Sequence, residues 1–456
     1  MAELNRIRER YENAGQGHVL EYYDTLSSDE LKKKAFLEQL SSISVEHLSD
    51  YLTKAKAMVN HSTGNITPFS GSVVSSDDEN SGEWKKIGMN AIQNGHVAAL
   101  VLAGGQGTRL GYNGPKGCFN IGLPSKKTLF QLLSERIMKL QSDTEGKLSL
   151  YVMTSPLNHD ETVSFFEKHN NFGIVVNFFP QGMLPCLNDE DGKIILEGKE
   201  KVSMAPDGNG GIYTALENTG MLNQMQAAGV KYLHVFSIDN ALCRPADPIF
   251  VGYCISVQAD CGNKVLWKKN AHEKVGVMAE QDGKPCILEY SDLSKEMAES
   301  KKDGKLLFGA ANICNHFYTL NFIRDRVLPN MANLYHVAHK KIPYFDGKSL
   351  VTPTSPNGYK LESFIFDVFP LSEKMAIMNV TRENEFAPVK NATGSDSPES
   401  ACRMVSDFSK RMMIEAEAIL DGNQNDSICE VSPLTSYAGE GLKEYSGRRI
   451  SCPFSL

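Results

Sequence analysis

Hydrophobic and polar positions follow two different periods through the middle of the chain. Four short apolar runs have the length expected of buried strands, and three other segments show helical spacing. The apolar runs are Val97–Ala103, Leu148–Met153, Ile174–Phe179 and Leu233–Ile238, and the helical segments are Thr128–Leu140, His159–His169 and Ile212–Ala228. Strands that alternate with helices form a mostly parallel sheet with helices on both faces. The pattern therefore predicts an α/β fold.

The two ends of the chain differ from this middle region. Ser27 to Glu30 has capping-box spacing, and an apolar face follows it, formed by Leu31, Ala35, Phe36, Leu37 and Leu40. The polar stretch from His61 to Gly82 is typical of an exposed connection. One further helix is predicted around Met404–Ile419. We therefore predict an N-terminal helical lobe (1–95), a central domain that carries the sheet (96–390) and a small C-terminal domain (391–456).

Composition and charge exclude several classes of protein. The chain has 456 residues and a net charge of −8, with its basic residues scattered, which argues against a nucleic-acid partner. The longest apolar run, Val97–Ala103, is far shorter than the ~20 residues that cross a bilayer. The segment from Glu3 to Arg10 is charged, unlike a secretory signal. We predict a cytoplasmic protein without membrane or nucleic-acid partners.

The ten cysteines show no Cys-x-x-Cys spacing. With no secretory signal, they are predicted to be reduced thiols. Cys118, two residues after Lys116, is either a reactive thiol or a small packed side chain. The packed alternative is favoured because free cysteine is usually buried.

A glycine-rich loop follows the first predicted strand, running from Leu102 to Gly111 and on to Pro115-Lys116-Gly117. Glycines allow backbone amides to approach an anion closely, and Arg109 and Lys116 add positive charge. This combination predicts a phosphate-binding loop.

Two familiar phosphate loops do not fit its spacing. The dinucleotide fingerprint fails because three residues separate Gly107 from Gly111. A Walker-type ending occurs at Gly347-Lys348-Ser349, but Ile342 stands where its first glycine is required. The loop therefore belongs to another class of phosphate chemistry.

The loop resembles the signature of nucleotidyltransferases that make activated sugars, and more closely that of the eukaryotic-type UDP-N-acetylglucosamine pyrophosphorylases. The resemblance covers nearly the whole chain, and further blocks follow in the family's order: Phe178–Pro185, Ser203–Gly211, Asp239–Asn240, Glu289–Ser291, Asn312–Ile313 and Pro388–Asn391. It implies a Rossmann-like nucleotidyltransferase sheet. It also implies the conversion of UTP and N-acetyl-α-D-glucosamine 1-phosphate to UDP-N-acetylglucosamine and pyrophosphate.

In that reaction a phosphate oxygen of the sugar attacks the α-phosphorus of UTP. The second pKa of a phosphate monoester is near 6, so the nucleophile is already an anion and needs no general base. The resemblance assigns Arg109, Lys116 and Lys390 to the phosphates and matches Asp239 to the family's magnesium-associated acid, with manganese expected to substitute. For Asp239 and Asn240 the alternative is a turn-forming pair.

The resemblance also implies a set of nucleotide contacts. Gln181 suits the edge of uracil, which offers both a donor and acceptors. For the Gly208–Gly211 segment taken alone, a flexible turn is the favoured alternative. The implied UTP-binding residues are Leu102, Ala103, Gly104, Gly105, Lys116, Gln181, Gly208, Asp239 and Lys390.

The sugar contacts depend most on the resemblance. They are Asn209, Glu289, Tyr290, Asn312, Lys360, Phe364 and Phe366. Leu361, Phe364, Ile365 and Val368 have helical core spacing, so at least one of the two phenylalanines is predicted to be a core residue. Ala311 stands where the family usually has glycine, and the added methyl group leaves the preference between N-acetylglucosamine and N-acetylgalactosamine open.

Two other functions are weighed against this one. UDP-glucose or broad UDP-sugar synthesis is disfavoured by Gln106 and Arg109, because relatives with that activity differ at the loop. A non-catalytic nucleotide-sugar sensor would be expected to lack Arg109, Lys116 or Asp239, and all three are present. The expected partners are the small-molecule substrates, and the expected state is a monomer or weak homodimer.

Overall fold

The computed structural model describes residues 2–26, 30–60 and 64–456. The chain forms two compact units, each assembled from three segments that are separate in sequence. The first unit contains Met1–Asn65, Gln181–Ala215 and Arg326–Val368, and the second contains Ile66–Pro180, Leu216–Asp325 and Phe369–Leu456. The division into three domains at residues 95 and 390 stays a prediction.

A large twisted sheet organises the second unit. Its principal strands lie in the order Val73–Ser75, Met375–Asn379, Cys261–Trp267, Ala310–Thr319, Tyr232–Ser237, Val97–Leu102, Leu150–Thr154 and Val176–Pro180. Every neighbouring pair is parallel except the two pairs made by Ala310–Thr319, which runs antiparallel to both of its neighbours. The strands Ile66–Pro68, Val277–Gln281 and Lys284–Leu288 extend the sheet in antiparallel pairing. The predicted mostly parallel sheet is confirmed.

The four strands predicted from apolar runs are all present, with ends that move by at most two residues. Val97–Leu102 and Leu150–Thr154 are buried at every position, as expected for strands covered on both faces. The stretch from His61 to Gly82, predicted as an exposed connection, supplies two short strands of this sheet. Residues 61–63 of that stretch lie outside the described residues.

Helices cover the sheet, and two of them pack at unusually close range. Ser81–Gln93 and Pro248–Ser256 meet through glycines: a methyl group on Gly252 would lie 1.7 Å from the carbonyl oxygen of Trp84. The other main helices of this unit are Leu129–Thr144, His159–Lys168, Met221–Ala227 and Pro398–Glu415.

Two helix predictions need correction. The segment Ile212–Ala228 forms two helices, Ile212–Asn218 and Met221–Ala227, because Gly220 between them adopts a left-handed conformation with φ +73°. The C-terminal helix begins at Pro398 rather than near Met404, since Ser397 and Ser400 form a reciprocal capping box there.

The first unit contains the helices Ala2–Asn13, Glu30–Ser42 and Leu48–Asn60. Phe36 and Leu40 are buried, but Leu31 is 80% exposed and Ala35 is also exposed, so the apolar face is narrower than predicted. The capping residues Ser27, Ser28 and Asp29 lie outside the described residues. The strands of this unit are Met183–Pro185, Leu187–Asn188, Leu196–Gly198, Lys201–Val202, Met204–Pro206, His336–Lys340, Tyr344–Phe345, Leu350–Val351 and Gly358–Glu362.

Two further observations concern the cysteines and the helices. All ten cysteines are free thiols. Burial raises the pKa of Cys118 to about 12, so the packed alternative holds for this side chain. Among the described residues, no helix combines the length and apolar character needed to cross a bilayer.

Candidate active site

The glycine loop is held at both of its ends. Ala103 N–H donates to the carbonyl of Met153 at 2.8 Å, which continues the parallel pairing one residue past the strand. The side-chain amide of Asn158 donates to the carbonyls of Ala103 and Gly105, at 3.0 and 3.3 Å. Lys116 N–H donates back to the Gly105 carbonyl at 3.1 Å. The loop is therefore closed by these contacts and has a defined shape.

Gly117 shows why glycine is needed next to Lys116. A methyl group at this position would lie 2.2 Å from a ring carbon of Phe130, which is fully buried. The close approach of backbone to ring fixes the position of the Lys116 backbone against the core.

Lys116 is the most constrained cation near the loop. Its ammonium donates to the backbone carbonyl of Val389 at 3.1 Å. Burial lowers the pKa of Lys116, Asp239 opposes this effect, and Lys390 and Arg109 lower the pKa further. The second unit therefore brings together four of the predicted phosphate-site residues, three cations and one carboxylate. Such a cluster has an excess of positive charge that suits a polyphosphate.

Asp239 follows the strand Tyr232–Ser237 at its carboxyl end, where ligands bind in open α/β sheets. Its backbone carbonyl accepts from Val389 N–H at 2.8 Å. Asn240 forms an antiparallel bridge with Pro388, next to this contact. The segment that leads to Lys390 is thus hydrogen-bonded directly to the Asp239 strand end.

The side chain of Asn240 strengthens that junction. It is buried, its amide donates to the Glu385 carbonyl at 2.7 Å, and its oxygen accepts from Ala387 N–H at 2.9 Å. This structural role goes beyond the turn-forming alternative. Sequence reasoning did not find it, because the partners lie nearly 150 residues away.

Beneath the junction is a buried ion cluster. The Lys264 ammonium is fully buried and donates to Glu385 at 2.5 Å and to Asp247. Burial alone would lower the pKa of Lys264, but the two carboxylates outweigh it and raise that pKa. The cluster anchors the short helix Arg382–Glu385, whose last residue also contacts Asn240. A lysine inside the buried strand Cys261–Trp267 was the available sequence signal.

The predicted sugar residues of the second unit meet around Gly276. Asn312 N–H donates to the Gly276 carbonyl at 2.9 Å. A methyl group on Gly276 would lie 3.0 Å from a carboxylate oxygen of Glu289. Tyr290 is half exposed, and Ala311 is fully buried in the main core of the unit. Ala311 therefore packs in the core.

A divalent metal ion would have one protein carboxylate here. No group of three or more histidine, cysteine or acidic side chains is arranged as a metal site in the described parts of the chain. Asp239 alone, beside cations that suit phosphates, fits Mg²⁺, because that ion is commonly held by one or two carboxylates together with substrate phosphates and water.

The first unit groups the other predicted residues around Asp207. Asp207 N–H donates to the Gly182 carbonyl, next to Gln181, at 3.3 Å, and the Asp207 carbonyl accepts from Ser363 N–H at 2.8 Å. Asn209 accepts from Ile365 N–H at 3.0 Å. These contacts bring Gln181, Gly208 and Asn209 into one neighbourhood with the segment that contains Phe364.

The carboxyl group of Asp207 is itself unusual. Methyl groups on Gly182 and Gly211 would lie 2.1 and 1.9 Å from its two oxygens, so both glycines are required by this side chain. Burial raises the pKa of Asp207 to about 7. Among the described residues, its Oδ1 atom has no hydrogen-bond partner. Asp207 lies inside one of the resembling blocks but was not singled out from the sequence.

Phe364 and Phe366 are not core residues, and their segment is not a helix. The strand Gly358–Glu362 ends before them, and Ile365 between them is buried. The two rings are half-buried and stacked on each other, with centroids 5.4 Å apart. The helical core spacing was therefore misleading here. Lys360 is half-buried on the preceding strand.

The chain is similar to known proteins along most of its length. A family model described as UTP–glucose-1-phosphate uridylyltransferase matches residues 46–418. A probable UDP-N-acetylglucosamine pyrophosphorylase of Dictyostelium discoideum is 42% identical, over 96% of this chain and 95% of that protein. The UDP-N-acetylglucosamine pyrophosphorylase of Saccharomyces cerevisiae is 36% identical, over 98% of each chain.

A solved structure shows the same fold. The crystal structure of the uridine diphosphate N-acetylglucosamine pyrophosphorylase of Trypanosoma brucei, in complex with an inhibitor, superposes with a TM-score of 0.85 at 31% identity. The match covers 97% of this chain and 95% of that chain.

Proposed function

The chain belongs to the UTP–glucose-1-phosphate uridylyltransferase family, and we propose that it converts UTP and N-acetyl-α-D-glucosamine 1-phosphate to UDP-N-acetylglucosamine and pyrophosphate. The names of its relatives support the amino sugar as substrate. The observation that carries the proposal is the half-buried Lys116 ammonium, whose electrostatic neighbours are Asp239, Lys390 and Arg109.

The reaction requires the approach of two anions. The sugar phosphate attacks the α-phosphorus in line, and pyrophosphate leaves from the opposite side. Lys116, Lys390 and Arg109 reduce the repulsion between these anions and stabilise the charge that develops on the leaving group. We assign Arg109 to the leaving phosphates, Lys116 to the α-phosphate and the leaving phosphates, and Lys390 to phosphate binding.

Asp239 is the residue proposed to hold Mg²⁺, with Mn²⁺ as a substitute. A bound divalent ion supplies further charge neutralisation at the phosphate oxygens. The carboxylate of Asp239 also offsets the mutual repulsion of the nearby cations when no nucleotide is present, since it raises the pKa of Lys116.

The nucleotide and sugar contacts complete the proposal. We assign the backbone of Leu102, Ala103, Gly104 and Gly105 to the nucleotide, with Gln181 and Gly208. We assign the sugar to Asn209, Glu289, Tyr290, Asn312, Lys360, Phe364 and Phe366. The grouping of Asn312 with Glu289 in the second unit, and of Asn209 with Phe364 in the first, supports these assignments.

Two properties outside the site belong to the same proposal. We propose that the enzyme acts in the cytoplasm, which its ten free thiols favour. We also propose that it is a monomer or weak homodimer. Sedimentation velocity at several protein concentrations tests the second statement.

The deciding experiment compares pyrophosphate release from UTP with N-acetylglucosamine 1-phosphate, N-acetylgalactosamine 1-phosphate and glucose 1-phosphate. Each is measured with Mg²⁺, with Mn²⁺ and without metal. The proposal predicts metal-dependent release and a strong preference for the N-acetylated sugars. A preference for glucose 1-phosphate would make the protein a UDP-glucose pyrophosphorylase. Tight UDP-sugar binding without turnover would identify a sensor.

A further inference from the structure

The strand Ala310–Thr319 crosses the middle of the sheet and is buried along almost all of its length. Within its first nine residues, only Asn312 and Cys314 are half-buried rather than buried. Ala311 and Ile313, on either side of Asn312, are both part of the main core. Within that stretch, Asn312 and Cys314 alone are partly exposed.

The pairing of this strand is interrupted at the same place. Asn263 pairs with His316 and Val265 pairs with Asn312, so three residues of this strand lie opposite the single residue Lys264. Bulges of this kind re-aim side chains next to binding sites. The Lys264 ammonium forms salt bridges with Asp247 and Glu385. These contacts restrict movement of the residue that the bulge faces.

Cys314 occupies the centre of the bulge in a left-handed backbone conformation, with φ +53°. For a residue other than glycine or asparagine, this conformation is unfavourable and persists only when the surroundings enforce it. Ile313 and Asn315, its two neighbours, are buried. Packing of the residues on both sides of Cys314 therefore holds it in this conformation.

The left-handed turn has a direct consequence for Asn312. Cys314 N–H points back and donates to the side-chain oxygen of Asn312 at 3.1 Å. Because a backbone N–H can only donate, the amide oxygen of Asn312 must face it, and the NH₂ group must face the other way. The backbone of Asn312 is fixed separately, by the Gly276 carbonyl.

This orientation matters for the type of sugar that can bind. A carbonyl oxygen accepts hydrogen bonds and cannot donate, so an acetamido carbonyl needs a donor opposite it. If the Asn312 amide were reversed, its oxygen would face that carbonyl and repel it. A 2-hydroxyl group, which can both donate and accept, would tolerate either orientation.

We propose that Cys314 is a positioning residue for sugar selection: its left-handed backbone fixes the Asn312 amide with the NH₂ group towards the ligand, and so favours 2-acetamido sugar 1-phosphates over 2-hydroxy sugar 1-phosphates. This inference rests on the proposed function. It concerns the backbone of Cys314 and not its thiol, so the thiol can be replaced without effect.

The test uses substitutions that separate backbone conformation from side-chain chemistry. Cys314→Gly and Cys314→Asn tolerate positive φ, and Cys314→Ser removes only the thiol. Cys314→Val has a β-branched side chain that opposes positive φ. The kcat and KM values are measured with N-acetylglucosamine 1-phosphate, glucose 1-phosphate and UTP, and Tm reports folding.

For Cys314→Val we expect the ratio of kcat/KM between the acetamido and hydroxy sugars to fall by about 10–100-fold, as for other lost polar contacts in a specificity pocket. This fall should come from a higher KM for the acetamido sugar, and the KM of UTP should change by less than about twofold. Gly, Asn and Ser at this position should keep the wild-type ratio within about threefold. A purely structural defect would change the kinetic constants for both sugars and for UTP together.

Two results would overturn the inference. One is a folded Cys314→Val protein with the wild-type ratio, and the other is a Cys314→Gly protein that loses selectivity as fully as the valine variant. If the valine variant does not fold, Asn312→Asp provides the test. It keeps the oxygen that accepts from Cys314 N–H but replaces NH₂ by a second oxygen, so it should lose the acetamido preference, and retention of that preference would refute the proposal.

The wild-type protein is assayed first, so that failure of the proposed function can be distinguished from failure of the role given to Cys314. No turnover with any sugar phosphate would contradict the proposed function. Normal preference for the acetamido sugar, with unchanged selectivity in Cys314→Val, would contradict only the role of Cys314.

Discussion

The side-chain amide of Asn240 donates to the backbone carbonyl of Glu385 at 2.7 Å. Together with the hydrogen bond from Val389 N–H to the Asp239 carbonyl, this contact joins the strand end that carries Asp239 to the segment that carries Lys390. The Asn240 oxygen also accepts from Ala387 N–H, so both ends of the amide are used. The separation of the proposed metal-binding carboxylate from the proposed phosphate-binding lysine therefore depends on a residue that need not contact either substrate.

Replacement of Asn240 by alanine should disturb that separation. It leaves the Glu385 carbonyl and the Ala387 N–H without their partner in a buried location, at a cost of about 1–3 kcal/mol for each group. We expect kcat to fall by about 10–100-fold, since displacements near 1 Å have effects of that size. Steady-state kinetics and Tm measure the two effects. Asn223→Ala, at an exposed position, is the matched control, and wild-type kcat in Asn240→Ala would contradict the positioning role.

Lys116→Ala tests the central cation. Lys116 is half-buried and lies near three other charged residues of the proposed site, so its loss removes charge stabilisation at the phosphates. We expect kcat to fall by about 10²–10⁴-fold, the range for removal of one preorganised charge or donor, with only a modest loss of UTP affinity. Rapid-quench turnover and UTP titration measure these quantities.

The matched control is Lys147→Ala, which removes an exposed lysine of the same unit and should leave turnover unchanged. If Lys116→Ala turned over at a near-normal rate, the role given to this lysine would be wrong.

The glycine loop and the strands around it could be predicted because their signals are local. The runs Val97–Ala103 and Leu148–Met153 are continuous apolar segments because both faces of those strands are covered. Arg109 and Lys116 follow directly after one of them, so sequence order alone places them at a carboxyl end of the sheet.

Features that depend on distant partners could not be predicted in the same way. The left-handed Cys314 arises from a bulge set by the pairing of strands about 50 residues apart. Asp207 takes its environment partly from Ser363, which is 156 residues further along the chain. Leu361, Phe364, Ile365 and Val368 have helical spacing, yet this segment continues from a strand whose partners lie elsewhere in the sequence.

Gln181→Ala tests recognition of the base. The side chain is half-buried and is proposed to read the uracil edge with its amide. Its loss should relax base choice, so that kcat/KM for CTP relative to UTP rises by about 10-fold, the discrimination expected of one directional polar contact. Turnover with saturating UTP should change little.

Competition between UTP and CTP in one reaction, with products separated by chromatography, measures that ratio directly. Gln226→Ala, at an exposed position, is the control. Unchanged base selectivity in Gln181→Ala would remove this residue from base recognition and direct attention to the backbone contacts of the glycine loop.

The buried carboxyl group of Asp207 makes stability depend on pH. Its pKa is raised from an ordinary value near 4 to about 7. Between these two pH values the unfolded chain releases the proton while the folded chain keeps it. The folded state then binds more protons, so stability falls as pH rises through this window, by up to about 1.4 kcal/mol per pH unit and about 4 kcal/mol in total. Above pH 7 the penalty is constant.

Two buried histidines act in the opposite direction and must be separated from this effect. Burial lowers the pKa of His234 to about 4 and that of His316 to about 3. Both stay neutral in the folded chain, so they destabilise it as pH falls below about 6.5. Comparison of the wild type with Asp207→Asn cancels the histidine contribution, because both proteins retain it.

Asp207→Asn replaces a group that titrates by a neutral one of nearly the same shape. The Tm of the variant minus the Tm of the wild type should therefore increase as pH is raised from 4.5 to 7.5. Above that pH it should be constant. Differential scanning calorimetry at intervals of half a pH unit measures the curve, with the exposed Asp303→Asn as a control. Parallel curves for Asp207→Asn and the wild type would show that this carboxyl group ionises normally in the folded protein, and that the close contacts with Gly182 and Gly211 do not exclude water from it.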